Sequence, residues 1–226
     1  MSEAVRPAGS PCSSTLAPMP LTLSCAITEI LAVGRRLDAR GLAPATTGNY
    51  SVRLNDGHIA ITVSGRHKGR LGQDDVTQID LDGHALHAKP PSAEAALHAG
   101  VYRLYARAQA VLHVHSVASI TLTRLLPRGS DVVLEGYETL KVLPGVTTHD
   151  TRVVIPVFDN SQDMPTLARA VEARLMTLQP TPSALLLRGH GVYAWGATVE
   201  EAERVVEALE LMMSCELETL RIGRRT

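Results

Sequence analysis

A tight-turn signal between two β-type segments constrains the fold of this chain more than any other feature. Residues 49–54 and 58–63 are rich in residues that favour strands, and Asn55-Asp56-Gly57 separates them. Asp-Gly between two such segments is a strong short-range signal for a β-hairpin. We therefore predict an antiparallel strand pair, which excludes a sheet built only from parallel strands.

Helical and strand patterns alternate along the rest of the chain. Apolar spacing, caps and prolines predict five helices: from Leu23 to a stop at Gly41, from Ser92 as N-cap to about Ala106, over 117–126, from Pro165, and from Thr198. Further β-type runs predict strands at 77–81, 110–115, 132–134, 153–158 and 183–187, with a segment over 138–143. Hairpins mixed with helices predict one sheet covered by helices.

The charge balance and the aromatic content argue against nucleic acid as a partner. The chain has 22 Lys and Arg against 23 Asp and Glu, and its aromatic side chains are 1 Trp, 5 Tyr and 1 Phe. Nucleic-acid-binding domains need a basic surface and aromatic stacking platforms. The 3 cysteines are far apart and odd in number, which fits neither a disulfide framework nor a CxxC metal site. We therefore expect a reducing, cytoplasmic location.

The first twenty residues differ in composition from the rest. Residues 1–20 are rich in proline and serine, so they cannot bury enough apolar surface to offset the entropy cost of ordering. We expect a flexible tail at 1–20 and a single catalytic domain at 21–226. The sequence has neither a signal-peptide pattern nor a run of 18 apolar residues, so we predict no membrane span.

His113-Val114-His115 is the most informative tripeptide for function. Residues two apart on a strand point to the same face, so the predicted strand 110–115 would hold two imidazoles side by side. A third candidate is His190, which lies between two glycines after another buried strand. Three neutral imidazoles with one open position form a catalytic zinc arrangement. Each histidine also has an ordinary interpretation, as a polar residue at a strand end or in a turn.

Two glutamates become candidates for proton transfer if a metal lies near them. Glu94 comes two residues after Ser92, where the helix dipole favours an acidic side chain in any case. Glu138 follows Tyr137 and by itself would be an ordinary surface charge. Only a neighbouring metal gives either of them a role as general acid or base.

Two small-residue loops could bind an anion. The loops over 46–49 and 64–69 combine backbone amides at glycines with hydroxyls and cationic side chains. Candidate ligands of a phosphate monoester are Asn49, Ser64, Gly65, Lys68 and Ser92. Neither loop matches a P-loop or a dinucleotide-binding fingerprint, and each in isolation is typical of an ordinary turn.

In combination these motifs resemble the class II sugar-phosphate aldolases and their relatives, the class II aldolase and adducin superfamily. The resemblance covers about residues 22–220 and rests on motifs that occur in the family's order: Thr47-Gly48-Asn49-Tyr50-Ser51, Thr62-Val63-Ser64-Gly65, Pro91-Ser92-Ala93-Glu94 with His98, His113-x-His115-Ser116, and Gly189-His190-Gly191. It implies a three-layer α/β/α sandwich with a central mixed, largely antiparallel sheet. It also implies a homotetramer with sites near subunit contacts.

The resemblance further implies one Zn²⁺ per subunit, held by His113, His115 and His190, and a small sugar-phosphate substrate. Longer strings at 61–70, 134–141, 156–160 and 190–196 are similar to a dehydratase branch of the superfamily that serves methionine salvage. This implies loss of water from a methylthio-substituted ketopentose phosphate, with Glu138 as a proton donor or shuttle. Animal members of that branch have a cysteine at the position of Glu94. The aldolases, like this chain, have a glutamate there. The role of Glu94, as acid/base or as a fourth metal ligand, stays open.

Three alternatives use the same fold. Retro-aldol cleavage of a ketose 1-phosphate and epimerisation of a pentulose phosphate would need the same metal. A non-catalytic, adducin-like assembly module would need no metal and predicts the loss of ligand histidines, whereas all three are present here.

Overall fold

The computed structural model describes residues 21–223, which contain five α-helices, three short 3₁₀ helices and nine strands. The helices are α1 (Leu23–Ala39), α2 (Ala95–Leu104), α3 (Val117–Leu125), α4 (Met164–Leu175) and α5 (Val199–Gly223). The strands are β1 (Asn49–Arg53), β2 (Ile59–Thr62), β3 (Val76–Ile79), β4 (Ala110–Val114), β5 (Val132–Glu135), β6 (Arg152–Ile155), β7 (Val157–Phe158), β8 (Ala184–Leu187) and β9 (Gly191–Gly196). The predicted tail at 1–20 lies outside the described residues.

Seven of these strands form one mixed sheet in the order β3-β2-β1-β4-β9-β8-β7. Every neighbouring pair in it is antiparallel except β7 and β8, which are parallel. Strands β5 and β6 pair separately as a two-stranded antiparallel sheet. The predicted mixed, largely antiparallel sheet is therefore confirmed.

Helices cover both faces of the large sheet, because its strands are apolar on both sides. Along β4, Leu112 and Val114 belong to the core cluster that includes α1, α3 and α5, whereas Val111 belongs to the cluster that includes α2 and α4. This alternation is the period of two expected of a strand. The result is the predicted three-layer sandwich. None of the described helices combines the length and the apolar character needed to cross a bilayer.

Local signals confirm the predicted hairpin and the end of the first helix. Strands β1 and β2 pair through the turn at Asn55-Asp56-Gly57, where Gly57 has a φ of +87°. Helix α1 ends at Ala39, and Gly41 adopts a φ of +74°, as expected of a helix-terminating glycine.

Three local predictions need correction. Ser92 does not cap α2: its backbone N–H is bonded to Thr62 O at the end of β2, and the helix begins three residues later with Glu94 in the N-cap position. The predicted strand at 153–158 is divided into β6 and β7 around Pro156, since proline has no N–H for a strand ladder. No strand was predicted at 191–196, yet β9 is a central strand of the sheet.

Candidate metal and sugar-phosphate site

Two neighbouring strands bring the three candidate histidines together. His113 is near the end of β4 and His115 follows that strand, while His190 precedes β9, the antiparallel neighbour of β4. Gly191 permits this approach, because a Cβ there would lie 2.1 Å from the carbonyl oxygen of Val114. A larger residue at that position would separate the two strands beside the histidines.

The ring nitrogens of the three histidines converge on one point. The Nε2 atoms of His113 and His115 are 2.8 Å apart, and those of His113 and His190 are 3.3 Å apart. We call His113, His115 and His190 the imidazole cluster. His113 is fully buried and the other two are partly buried.

Hydrogen bonds on the far side of two rings fix their tautomers. His113 Nδ1 donates to the carbonyl oxygen of Val192 at 3.0 Å, and His190 Nδ1 donates to Asn160 Oδ1 at 3.2 Å. In a neutral imidazole only one nitrogen carries a proton, so both Nε2 atoms present lone pairs to the cluster. Lone pairs that face each other at 3.3 Å repel unless a cation or a proton lies between them.

Burial keeps His113 and His115 in the neutral form that binds metals. It lowers the pKa of His113 well below its ordinary value. It also lowers the pKa of His115 to about 4, with a further contribution from His190. Neutral imidazoles with convergent lone pairs are the donor set that divalent transition metals prefer, so these residues fit a metal ion.

The Glu94 carboxylate lies against the imidazole cluster. Its Oε1 is 3.1 Å from His190 Nε2 and its Oε2 is 3.4 Å from His113 Nε2. Although burial raises the pKa of Glu94, its contacts with His190 and His113 and the hydrogen bond from Asn49 lower it below its usual range. Glu94 therefore adds a charged oxygen donor to the three nitrogens.

A cavity of about 180 Å³ opens beside the cluster and includes the predicted anion loops. Its lining residues include Asn49, Ser64, Gly65, Lys68, Ser92, Glu94, His115 and His190. The structure thus brings all the predicted phosphate candidates to one cavity with Glu94 and two of the histidines.

Lys68 is almost fully buried at the wall of this cavity. Its Nζ donates to the carbonyl oxygens of Thr46 at 2.9 Å and Arg66 at 2.5 Å. Burial lowers the pKa of Lys68 to about 8, against the opposing effect of Glu94. An ammonium group has three donors, so one is left to bind an anion in the cavity.

Glu138 is the predicted site residue that the structure does not bring to the cluster within the described part of one chain. It lies on a short 3₁₀ turn, Glu138–Val142, and its side chain is 69% exposed. It forms ion pairs with Lys141 and His149, and the Lys141 hydrogen bond lowers its pKa.

Two residues of the site were not predicted from the sequence. Asn160 orients His190, and Tyr193 stacks on His113 with ring centroids 3.8 Å apart. Strand register explains the second contact, because Tyr193 is directly opposite His113 in the ladder between β4 and β9. Recognition of 191–196 as a strand would have revealed this pair. Asn160 follows β7 in an exposed loop and had no such signal.

We expect an Asn160→Ala variant to bind its metal roughly 10–100-fold more weakly, because partners that orient a metal-binding histidine typically contribute that much. Competition with a chelator would measure the affinity. Asn160→Asp is the matched control, since it keeps an acceptor oxygen for His190 Nδ1 and should stay close to the parent. Equal affinities for the alanine variant and the parent would contradict this role.

The sheet, the imidazole cluster and the adjoining phosphate-type cavity define the class to which this protein is assigned. The chain belongs to the class II aldolase and adducin N-terminal domain family, whose family model matches residues 28–217. Members of this family are typically metal-dependent, in agreement with the imidazole cluster.

Curated relatives indicate the branch within this family. The methylthioribulose-1-phosphate dehydratase of Methylococcus capsulatus is 51% identical over 188 residues, which cover 83% of this chain and 91% of the relative. The protein of the same name from Marinobacter nauticus is 47% identical over 200 residues, or 88% of this chain and 96% of the relative. The predicted similarity to the dehydratase branch is confirmed.

Solved structures of other members share the fold. L-fuculose-1-phosphate aldolase from Thermus thermophilus superposes with a TM-score of 0.71 at 29% identity and covers 88% of this chain and 96% of its own. YgbL from Klebsiella pneumoniae gives a TM-score of 0.73 at 26% identity, with 86% and 89% covered. These matches confirm the predicted aldolase-like sandwich.

Proposed function

We propose that this chain is a hydro-lyase that removes water from 5-methylthioribulose 1-phosphate to form 2,3-diketo-5-methylthiopentyl 1-phosphate in methionine salvage. The main support is one arrangement: three imidazoles and a carboxylate meet beside a cavity lined with phosphate-type donors. The name carried by relatives that are 47–51% identical over most of the chain supports the choice of substrate.

The proposed cofactor is one Zn²⁺ per subunit, held by His113, His115 and His190, with Glu94 in position to be a fourth ligand. When bound, the ion would supply Lewis-acid polarisation of the ketone and of the hydroxyl next to it. Two of the chain's own hydrogen bonds, from His113 to Val192 and from His190 to Asn160, keep the imidazoles oriented for this task.

The proposed phosphate ligands line the same cavity as two of the histidines. They are Asn49, Ser64, Gly65, Lys68 and Ser92. A phosphate held there would fix the sugar through binding energy remote from the reacting carbons, which reduces the entropy cost of the reaction. The ammonium of Lys68, already oriented by two carbonyl groups, would neutralise part of the phosphate charge.

Dehydration needs two proton transfers: one takes the proton from the third carbon, and one protonates the hydroxyl that leaves the fourth. The enol that results then tautomerises to the diketone, as its third-carbon hydroxyl loses a proton and its fourth carbon gains one. Glu94 is the one carboxylate among the described residues that line the cavity. We propose that Glu94 and Glu138 share the two proton transfers, with Glu138 reaching the cavity of a neighbouring subunit.

A subunit contact beside the site would give the exposed Glu138 access to substrate. Val117 lies two residues after His115, at the start of α3, and is 81% exposed. We propose that this exposed side chain is part of the subunit contact. We propose a cytoplasmic homotetramer in which residues 21–226 form one catalytic domain.

The decisive experiment is turnover of synthetic 5-methylthioribulose 1-phosphate by the purified, zinc-loaded protein. We expect the diketone product to accumulate, which can be followed by its absorbance or as its quinoxaline adduct. Failure to form diketone from this substrate would contradict the proposal.

Aldol cleavage is the second candidate, because Glu94 contacts the cluster and a structural neighbour is named L-fuculose-1-phosphate aldolase. Incubation with fuculose and rhamnulose 1-phosphates, followed by an assay for dihydroxyacetone phosphate, tests this activity. A metal assay separates both enzymes from a non-catalytic module, which predicts no bound metal.

A further inference from the structure

Beneath Glu94, four buried polar side chains form one connected row. Glu94 Oε2 is 2.6 Å from Asn49 Nδ2, and Asn49 Oδ1 is 2.5 Å from His98 Nε2. His98 Nδ1 is 2.7 Å from Ser51 Oγ, which is 2.9 Å from Tyr102 Oη. We call Asn49, His98, Ser51 and Tyr102 the buried relay. None of the four is more than 5% exposed.

Two secondary-structure elements supply the relay. Asn49 and Ser51 are two residues apart on β1 and therefore point to the same face of the sheet. His98 and Tyr102 are four residues apart on α2, one helical turn along the same side. The relay is thus built where α2 packs on β1, with Glu94 immediately before that helix.

The carboxylate of Glu94 sets the direction of every hydrogen bond in the relay. A carboxylate only accepts, so Asn49 donates through Nδ2 and its Oδ1 must accept from His98. His98 therefore carries its proton on Nε2 and accepts on Nδ1. Ser51 donates to that nitrogen, and its oxygen in turn accepts from Tyr102.

This arrangement leaves one proton distribution for a neutral His98. Burial lowers the pKa of His98 to about 4, so the ring carries a single proton at neutral pH. A ring protonated on Nδ1 instead would present a lone pair to Asn49 Oδ1. The amide of Asn49 would then have to flip and place its oxygen against the Glu94 carboxylate, where the two oxygens would repel each other.

Structural stability does not require such a relay. Apolar side chains in the same interior positions would avoid the desolvation cost of buried polar groups, which is offset here only because the groups bond one another. A fully satisfied polar network instead selects one geometry, and this network ends at the carboxylate beside the imidazole cluster.

We propose that His98 is a positioning residue: its Nε2–H fixes the amide of Asn49, and Asn49 holds the Glu94 carboxylate against His113 and His190. The effect on turnover rests on the proposed function. The hydrogen-bond assignment does not, because it can be measured without substrate.

The first test is the tautomer of His98. We would label the histidines of the full-length protein with ¹⁵N and record long-range ¹H–¹⁵N correlations, with a His98→Gln sample to assign the signals. The expected result is a neutral ring protonated at Nε2. A ring protonated at Nδ1, or at both nitrogens near neutral pH, would overturn the proposal.

The second test compares two uncharged amides in place of His98. Gln extends to the Nε2 position of the imidazole and can donate to Asn49, whereas Asn reaches only the Nδ1 position. We expect His98→Asn to lower kcat by roughly 10–100-fold, because residues that orient the groups around a metal site typically contribute that much. We expect His98→Gln to keep most of the parent kcat, and both variants to keep the parent's metal content and KM. His98→Asn should also lower Tm, because it leaves a small cavity and an unpaired Asn49 Oδ1, so kcat is compared at a temperature well below the Tm of both variants.

Two results would overturn the proposal in this comparison: equal kcat for the two variants, or a loss of kcat that disappears at temperatures well below the Tm of His98→Asn. If the parent protein does not convert the methylthio sugar phosphate, the proposed function fails. The tautomer measurement still decides whether the relay exists.

Discussion

The His115→Ala protein is expected to purify folded, with less than about a tenth of the parent's metal and no measurable turnover. Removal of His115 takes away one of the three imidazole ligands and leaves only His113, His190 and the Glu94 oxygen, so the ion is bound more weakly and is lost during purification. His115 is a better choice than the fully buried His113, because a cavity in the core would destabilise the fold as well. Elemental analysis, activity and far-UV circular dichroism would measure the three properties.

His84→Ala is the matched control for this experiment. His84 lies in an exposed surface group with Asp80 and Asp82 whose ligand atoms are also close enough to hold a cation. We expect this variant to keep the parent's metal content and turnover. A His115→Ala protein that remains fully active after treatment with a chelator would show that the imidazole cluster is not the catalytic centre.

Glu138→Gln is expected to lower turnover by about a hundredfold while the metal content stays unchanged. Glutamine keeps the shape of glutamate but cannot transfer a proton, and general acid/base catalysis typically contributes that factor or more. Metal retention should not change, because Glu138 lies on an exposed turn and lines no part of its own chain's cavity.

Glu94→Gln should reduce turnover comparably and also weaken metal binding, since Glu94 contacts two members of the cluster.

Mixed oligomers test whether Glu138 acts across a subunit contact. If differently tagged His115→Ala and Glu138→Gln chains are co-expressed and isolated together, some cavities combine an intact cluster with an intact Glu138 from the neighbour. Partial recovery of activity is therefore expected. A mixed oligomer as inactive as each variant alone, or a Glu138→Gln protein with full turnover, would contradict the proposed role.

Local sequence signals were sufficient to predict much of the fold. Asn55-Asp56-Gly57 predicts the β1–β2 hairpin because few conformations other than a tight turn suit those residues. The alternation along 110–114 predicts which residues of β4 face each helical layer. The same alternation predicts that His113 and His115 share a face, and the structure brings their Nε2 atoms to 2.8 Å.

Other features depend on contacts that no local pattern encodes. Strand β9 lies between Gly191 and Gly196, so its glycine-bounded sequence resembles a turn, and only pairing with β4 and β8 makes it a strand. Asn160 meets His190 through a contact between residues 30 positions apart. The proposed place of Glu138 at a neighbour's cavity depends on contacts between chains, which no local sequence pattern encodes.

The direct pairing of β4 with β9 has a consequence for how this scaffold can diversify. His113 is paired with Tyr193 near the end of a rigid hydrogen-bonded ladder and His115 and His190 lie just beyond its last pair, whereas most phosphate candidates belong to turns at its margin. Insertions or substitutions in those turns can therefore change which sugar is accepted while the imidazole cluster keeps its geometry. New substrate preferences should therefore arise from changes in these turns, while the paired strands β4 and β9 stay the same.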